Sequence, residues 1–406
     1  MKLVYVHRYA DNIDSGMNKK VITQCLTLIK LGYNVKLLLL SNNDAQIPCG
    51  YPYDLFIEVD QIEIASNTHL LKKIIVSQKI ANILKREINS LNDDDIIYTR
   101  YPFPLLFCRK NFLKRYRSCK LVFEHNTIES YEFRSTKNYF DFILDYIFGK
   151  LLINQTSGVV GVTDEITNYE VSRIEDSKKP HVTIGNGFNV RSVPLKKLTP
   201  FDDRELRLLC VANVSRWHGL DRLLQGLATY NGMPKVILHI AGDGAELPHL
   251  QKLAGDLSIS DRVVFHGFTT GKALDALFDR CHIAVGSLGI HRIGLKEASI
   301  LKAREYCARG VPFIYGISDP DFPADFPYIL HLPADESPIE IDQVLAFAKR
   351  VCTDPDHPQK MRRYAEEHLD WSVKMKRLKG FLETLVRENG GGSVLEPSTS
   401  SLIPMD

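Results

Sequence analysis

Between Gly294 and Pro312 the chain sets two carboxylates, Glu297 and Glu305, eight positions apart with Lys302 between them, and then runs into Gly310-Val311-Pro312. A helix that ends at the glycine and hands over to a strand accounts for that order of residues. Ser299 is expected at its N-cap, where a serine hydroxyl accepts from an orphan amide of the first turn. The helix start then carries partial positive charge and free N–H groups, which suit a phosphate. Lys302 adds a full charge to the same anion. Glu297 falls in the loop before the helix and Glu305 about one and a half turns inside it, so the two carboxylates cannot share a face. They are suited to different ends of one ligand, such as a sugar nucleotide.

The Glu-x7-Glu spacing with the downstream Gly-Val-Pro resembles the signature of retaining GT-B glycosyltransferases, specifically glycosyltransferase family 4. The resemblance implies that Glu297 looks toward the donor sugar and that Glu305 binds the nucleotide ribose. The Gly-Phe-Gly-Leu-Pro that usually follows the first glutamate is replaced by Ala298-Ser299-Ile300-Leu301-Lys302, which leaves the sugar open. Ser299 and Leu301, at the helix start, are assigned with Glu305 to the nucleotide.

Other motifs fit the same resemblance. Arg216 and His218 stand where family members place an arginine and a lysine on the donor diphosphate. Arg216 suits a bidentate phosphate fork, whereas His218 reads as a loop-packing residue. Arg222, at a helix start, could join Arg216 or be an exposed cation. Gly242-Asp243-Gly244 ends one strand and opens a helix, and its glycines permit close backbone approach to a ligand. It is similar to the family's Gly-Asp-Gly beside the nucleotide. His266-Gly267-Phe268 resembles the turn that frames the base. His291 and Arg292 could reach an acidic group, although a solvated loop explains them better.

In the first half, His125 follows Leu121-Val122-Phe123-Glu124 and resembles the histidine that family members aim at the donor sugar. A core histidine satisfied by a backbone carbonyl is the competing account. Arg100 ends the preceding strand and could bind the acceptor or the leaving phosphate. Gly16 opens the first helix, in a loop similar to the family's glycine-rich one. Gly185-Asn186-Gly187 looks like the family's Asn-Gly turn, with a structural role.

Two segments imitate other chemistry. Asp93-Asp94-Asp95 has the composition of a metal-binding acidic motif, but its place between Asn92 and the strand Ile96–Tyr98 marks a solvated turn. The resemblance implies no required metal. Arg109 to Lys120 holds six cations and no acid, interleaved with Phe112, Leu113 and Tyr116. That segment is either a plain exposed helix face or a contact with anionic lipid.

The elements that must position these residues alternate along the chain. Short apolar runs (Leu3–Val6, Val35–Leu40, Ile96–Tyr98, Leu121–Phe123, Val159–Val162, His181–Ile184) are followed, after Arg191 to Arg204, by Leu206–Val211, Val236–Ile240, Val263–Phe265, Ile283–Val285, Pro312–Tyr315 and Tyr328–Leu332. Helical patterns between them indicate βα units and parallel sheets. Polar residues and glycines gather just after the runs, at the edge where open α/β sheets bind ligands. Glu366 to Glu388 is helical in pattern, and the tail from Gly390 reads as disordered.

A chain of 406 residues accommodates two domains. A net charge of +2 gives no general reason to expect nucleic acid. Eight cysteines without a CxxC pair indicate neither a zinc site nor a disulfide framework, and suit reducing surroundings. The N-terminus lacks the pattern of a cleavable leader, and no run reaches the ~20 apolar residues of a membrane span. The expectation is therefore an α/β, GT-B protein of cytoplasmic location, with peripheral membrane contact at most. Residues 1–192 would form an N-terminal Rossmann-like acceptor domain and 205–370 a C-terminal donor domain. A helix at 371–389 would cross back to the first domain, and 390–406 would form the tail. The implied function is transfer of a sugar from a UDP- or GDP-sugar to a saccharide, lipid-linked or protein acceptor in cell-surface polysaccharide or glycoconjugate synthesis. A bilobal solute-binding protein and a GT-B phosphorylase or epimerase are the alternatives.

Overall fold

The computed structural model describes residues 1–8, 16–41, 56–61, 82–101, 119–174, 178–199, 201 and 204–387. Most of the basic segment 109–120 and the tail from 390 lie outside the described residues.

Among the described residues thirteen strands build two sheets, and each paired neighbour is parallel. The first sheet contains β1 (Lys2–Arg8), β2 (Asn34–Ser41), β3 (Phe56–Gln61), β4 (Ile96–Arg100), β5 (Lys120–His125), β6 (Gly158–Gly161) and β7 (His181–Thr183), in the order 3-2-1-4-5-6-7. The second contains β8 (Glu205–Val211), β9 (Lys235–Ala241), β10 (Val263–Gly267), β11 (Ile283–Val285), β12 (Phe313–Tyr315) and β13 (Ile329–His331), in the order 10-9-8-11-12-13. Both orders reverse direction beside their first strand, the doubly wound arrangement that leaves a crevice at the carboxyl edge. Helices cover both faces, so the central strands are almost continuously apolar. In β1, Leu3 through His7 are all buried.

The expected strands are present, and β3 is an addition. Its sequence, Phe-Ile-Glu-Val-Asp-Gln, alternates acids with apolar residues at the edge of the sheet and lacks the apolar run of a central strand.

The helical pattern from Glu366 to Glu388 is interrupted at Asp370. A π-helical turn, Ala365–Leu369, ends at Asp370, which is extended, and a new helix runs from Trp371 to Arg387. The break has a cause in pairing. Phe188 donates its amide to Leu369 O (2.8 Å), Trp371 donates to Phe188 O (3.1 Å), and Asp370 Oδ2 accepts from the Val190 amide (3.2 Å). The two chain crossovers between the lobes are thus zipped together. Gly187 has no room for a side chain there: a Cβ would lie 2.7 Å from the Trp371 ring.

Beyond the break, Trp371, Met375, Leu378, Leu382 and Leu385 enter one core with Leu3, Tyr5, Val122 and Val160 of the first sheet. The final helix therefore completes the core of the N-terminal lobe. The segment after Ser192 is pinned rather than loose: Lys196 donates its amide to Arg309 O (2.9 Å) and its ammonium to Cys281 O (2.6 Å).

Candidate active site

Between the carboxyl edges of the two sheets lies a cleft of about 1570 Å³. Its N-terminal wall is one side of the helix Gly16–Lys30, from Gly16, Lys19 and Lys20 at its start to Lys30 at its end. The opposite wall takes Gly242 and Asp243 from the end of β9, Phe268 to Gly271 from the end of β10, and Leu301, Lys302 and Glu305 from the helix Leu301–Arg309. Trp371 and Asp370 close one side. The lobes approach closely here, since a Cβ on Gly16 would meet Leu301 at 3.5 Å.

Lys302 is the most consequential residue in the cleft. Its Nζ is buried and has no hydrogen-bond partner. Burial lowers its pKa from the ordinary value. An isolated buried ammonium is costly, and an arriving anion would relieve the cost. Beside it, His218 is held well below the usual imidazole range by burial and then by the Lys302 charge. His218 Nδ1 accepts from the Ser215 amide at 2.9 Å, so the ring orders its own loop.

Glu305 lies on the cleft wall, with Oε1 accepting from Arg309 Nε at 2.8 Å. Arg309 also reaches Asp275 at 2.7 Å and lies over the Phe278 ring. Gly242 and Gly244 have φ of +135° and +140°, and a Cβ on them would lie 1.9 Å from Ala212 O and 2.2 Å from Val214 O. Both must be glycine because the β8 turn crosses directly against them, and Gly242 also lines the cleft.

Several expected roles need correction. Ser299 is not an N-cap. The helix begins at Leu301 behind Ile300, without a side-chain cap. Ser299 Oγ instead accepts from the Asn186 amide (2.7 Å) and from Arg304 Nη2 (2.7 Å). Arg222 is not a phosphate ligand. It is 1% exposed, and its guanidinium donates to the carbonyls of Leu288, Pro333 and Ser337 and to Asp335. Arg216 is exposed on the turn Arg216–His218, outside the residues that line the cleft. Arg292 forks onto Asp221 (2.8 and 2.7 Å) and also holds Glu336, which pairs with His291.

Glu297 is at the junction of the lobes rather than in the cleft wall. Its Oε2 accepts from the Glu165 amide at 3.0 Å, at the start of the helix Asp164–Ser172. Glu165 Oε2 accepts in return from the amides of Lys296 (2.9 Å) and Glu297 (2.8 Å). This reciprocal contact fastens the loop at Lys296 and Glu297 to the N-terminal lobe.

His125 is fully buried and stacks on Tyr101, with centroids 4.6 Å apart. Its Nδ1 is 3.2 Å from Glu129 and 3.7 Å from Glu170, and its Nε2 has no partner. Among the described residues these three form the group whose ligand atoms are close enough, within 4.8 Å, for a metal ion. Burial pushes Glu129 well above the usual carboxylate range and Glu170 up to about 7. Protons, together with Arg173 on Glu170 at 2.9 Å, therefore answer the charge of this cluster. Arg100 Nε is likewise buried without a partner.

Comparisons with known proteins bear on the fold and on part of the second half of the chain. Residues 195–319 match the family model described as Glycosyl transferases group 1. An uncharacterized glycosyltransferase of Methanocaldococcus jannaschii is 24% identical over 319 residues, covering 72% of this chain and 76% of that protein. Sucrose-phosphate synthase from Thermosynechococcus elongatus has a TM-score of 0.71 at 14% identity, over 95% of this chain and 99% of that one. Anabaena HepE in complex with UDP and glucose has a TM-score of 0.66 at 16% identity, over 95% and 100%. The chain has the GT-B fold. Fold and family match together support a glycosyltransferase, with the group 1 domain spanning Lys302 and both glutamates.

In this GT-B chain the residues that sequence reasoning missed are those that join the lobes. Arg304, fully buried, donates to Asn186 O (3.0 Å) and pairs with Asp319 and Asp321, and Lys374 of the final helix completes the network on Asp321. An arginine inside an otherwise buried helix face was the available signal.

Proposed function

We propose that this protein is a retaining glycosyltransferase that moves a sugar from a nucleoside-diphosphate sugar to an acceptor hydroxyl. The observation that carries the reading is Lys302, a buried cation without a partner at the start of a helix that lines the interlobe cleft. The first amides of that helix have no intrahelical acceptor. Together they would neutralise charge as it develops on a leaving diphosphate, where fixed donors in a water-poor site act most strongly. Glu305 would accept from the ribose hydroxyls, and the backbone at Gly242 would pass close to the nucleotide.

In the transfer itself the acceptor oxygen bonds to the anomeric carbon as the bond from that carbon to the diphosphate oxygen breaks. The acceptor proton passes to the departing diphosphate on the same face, so configuration is retained and no protein base is required. A UDP- or GDP-sugar is the proposed donor; the UDP and glucose held by HepE support the first. Family 4 resemblance assigns Glu297 to the sugar, a role that would require its carboxylate to leave the Glu165 amide at the lobe junction. Family 4 resemblance supports a hexosyl group, an acceptor site in residues 1–192 and a place in cell-surface polysaccharide or glycoconjugate synthesis, with peripheral contact at the cytoplasmic side of a membrane.

Incubation with a panel of nucleotide sugars, monitored for free nucleoside diphosphate, tests the reading. Release that depends on Lys302 is expected. No release from any donor, with no thermal shift from UDP, GDP or ADP, would remove it.

A further inference from the structure

Glu165 is not among the residues that line the cleft, yet it holds the loop that carries Glu297. The helix Asp164–Ser172 starts behind Thr163, whose hydroxyl accepts from the Ile166 amide at 3.3 Å. That cap leaves the Glu165 amide as an orphan donor of the first turn, and Glu297 Oε2 takes it at 3.0 Å. The helix dipole favours a carboxylate there as well. In return Glu165 Oε2 accepts from two successive amides, those of Lys296 (2.9 Å) and Glu297 (2.8 Å). Each carboxylate thus serves the other residue's backbone across the lobe junction.

The same loop is held from its own lobe. Ala298 donates to Ser318 O at 3.0 Å, and the Ser318 amide donates to Lys296 O at 3.4 Å. The backbone at Glu297 is therefore stitched to Ser318 on one side and to Glu165 on the other. Three residues earlier Gly294 turns with φ of +84°, and a Cβ there would lie 3.2 Å from the Tyr131 ring of the N-terminal lobe. Ser318 can fix the loop only within the C-terminal lobe. Glu165 fixes it against the lobe opposite, with two charge-assisted bonds. The helix that carries Lys302 and Glu305 has a separate anchor, Arg304 on Asn186 O and Asp319.

We propose that Glu165 is a positioning residue for the sugar transfer: its carboxylate sets the backbone at Lys296 and Glu297, and its amide keeps the Glu297 carboxylate until the donor sugar takes it over. The inference rests on the reading of Glu297 as the residue that meets the sugar. On that exchange Glu297 gives up one N–H donor and gains sugar hydroxyls, which also donate. The bonds from the Lys296 and Glu297 amides to Glu165 persist, so the Glu297 side chain turns about a fixed backbone. Separate anchors for this loop and for the helix of Lys302 let turnover and nucleotide binding respond independently.

The experiment gives the full chain a panel of nucleotide sugars, UDP-glucose and GDP-mannose included, and reads free nucleoside diphosphate. Melting temperature and the thermal shifts from UDP and GDP are measured alongside. Glu165→Ala should lower turnover by roughly 10–100-fold, the scale of a small misplacement at a reacting centre, with the nucleotide thermal shifts unchanged. Glu165→Gln should restore most of the turnover, since its side-chain oxygen accepts from the same two amides. Amide hydrogen exchange across residues 294–298 should quicken in Glu165→Ala and not in Glu165→Gln. A lower melting temperature with wild-type turnover would make Glu165 a structural tie and overturn the proposal. Unchanged exchange in Glu165→Ala, or a loss of turnover that Glu165→Gln shares in full, would overturn it too. No release by the wild type from any donor would remove the reaction, and with it the role of Glu165, whereas quickened exchange would still establish the clamp.

Discussion

Lys302 is held in a state that folding alone does not favour. Its ammonium loses water, gains no partner and has its pKa lowered by burial. A folded pKa below the unfolded one means a penalty at low pH that is relieved as pH rises toward deprotonation. Removing the charge should therefore stabilise the unliganded protein while harming the reaction, a trade-off common at binding sites. Lys302→Met is expected to raise the melting temperature, lower turnover by roughly 10²–10³-fold, and abolish the thermal shift from UDP. A lower melting temperature would mean that Lys302 has a structural partner. Glu170 shows the opposite sign. Burial outweighs the pull of His125 and Arg173 and raises its pKa to about 7. An acid raised in the folded state contributes stability at low pH that is lost as pH climbs from its unfolded value through about 7. Glu170→Gln should match wild type in melting near pH 5 and exceed it near pH 8. Parallel melting curves across that range would exclude the assignment.

At the scale of elements, the helix Leu301–Arg309 works on two sides. Lys302 and Glu305 face the cleft, while Arg304 is fixed to Asn186, Ser299, Asp319 and Asp321 behind it. Because Arg304 is fully buried and Asp319 only 3% exposed, Arg304→Ala would leave carboxylates uncompensated and cost about 3–5 kcal/mol, readable as a lower denaturant midpoint. Little loss would show that water enters the junction. This network also explains what the sequence could and could not convey. The helix, its glycine stop and the lysine inside it follow from local rules. Ser299 satisfies the local rule for an N-cap, yet its hydroxyl serves an amide 113 positions away and a guanidinium five residues on. Tertiary partners outcompeted the cap, and spacing along the chain contains no trace of Asn186. Arg222 is similar: its carbonyl partners at Leu288, Pro333 and Ser337 are backbone atoms, invisible to residue type. The central strands were legible because both of their faces are apolar, and β3 was not because an edge position tolerates acids.

For the whole molecule, the chain passes between the lobes twice, and the second passage does more than link them. Trp371, Met375, Leu378, Leu382 and Leu385 are buried against Leu3, Tyr5 and Val160. At roughly 1.5–3 kcal/mol for each buried apolar side chain, these five contribute on the order of 10 kcal/mol. That is the size of an entire domain's net stability. Residues 1–192 expressed alone should consequently be insoluble or molten, with a broad unfolding transition. The same segment fused through a flexible linker to 371–387 should unfold cooperatively. The linker is needed because Phe188 and Asp370 are paired where the crossovers meet, so the helix enters from a fixed point beside Gly187. Cooperative unfolding of 1–192 without the helix would show that the N-terminal sheet closes its own core. The crossing helix would then act only as a strap between lobes, and its five apolar side chains would need a different explanation.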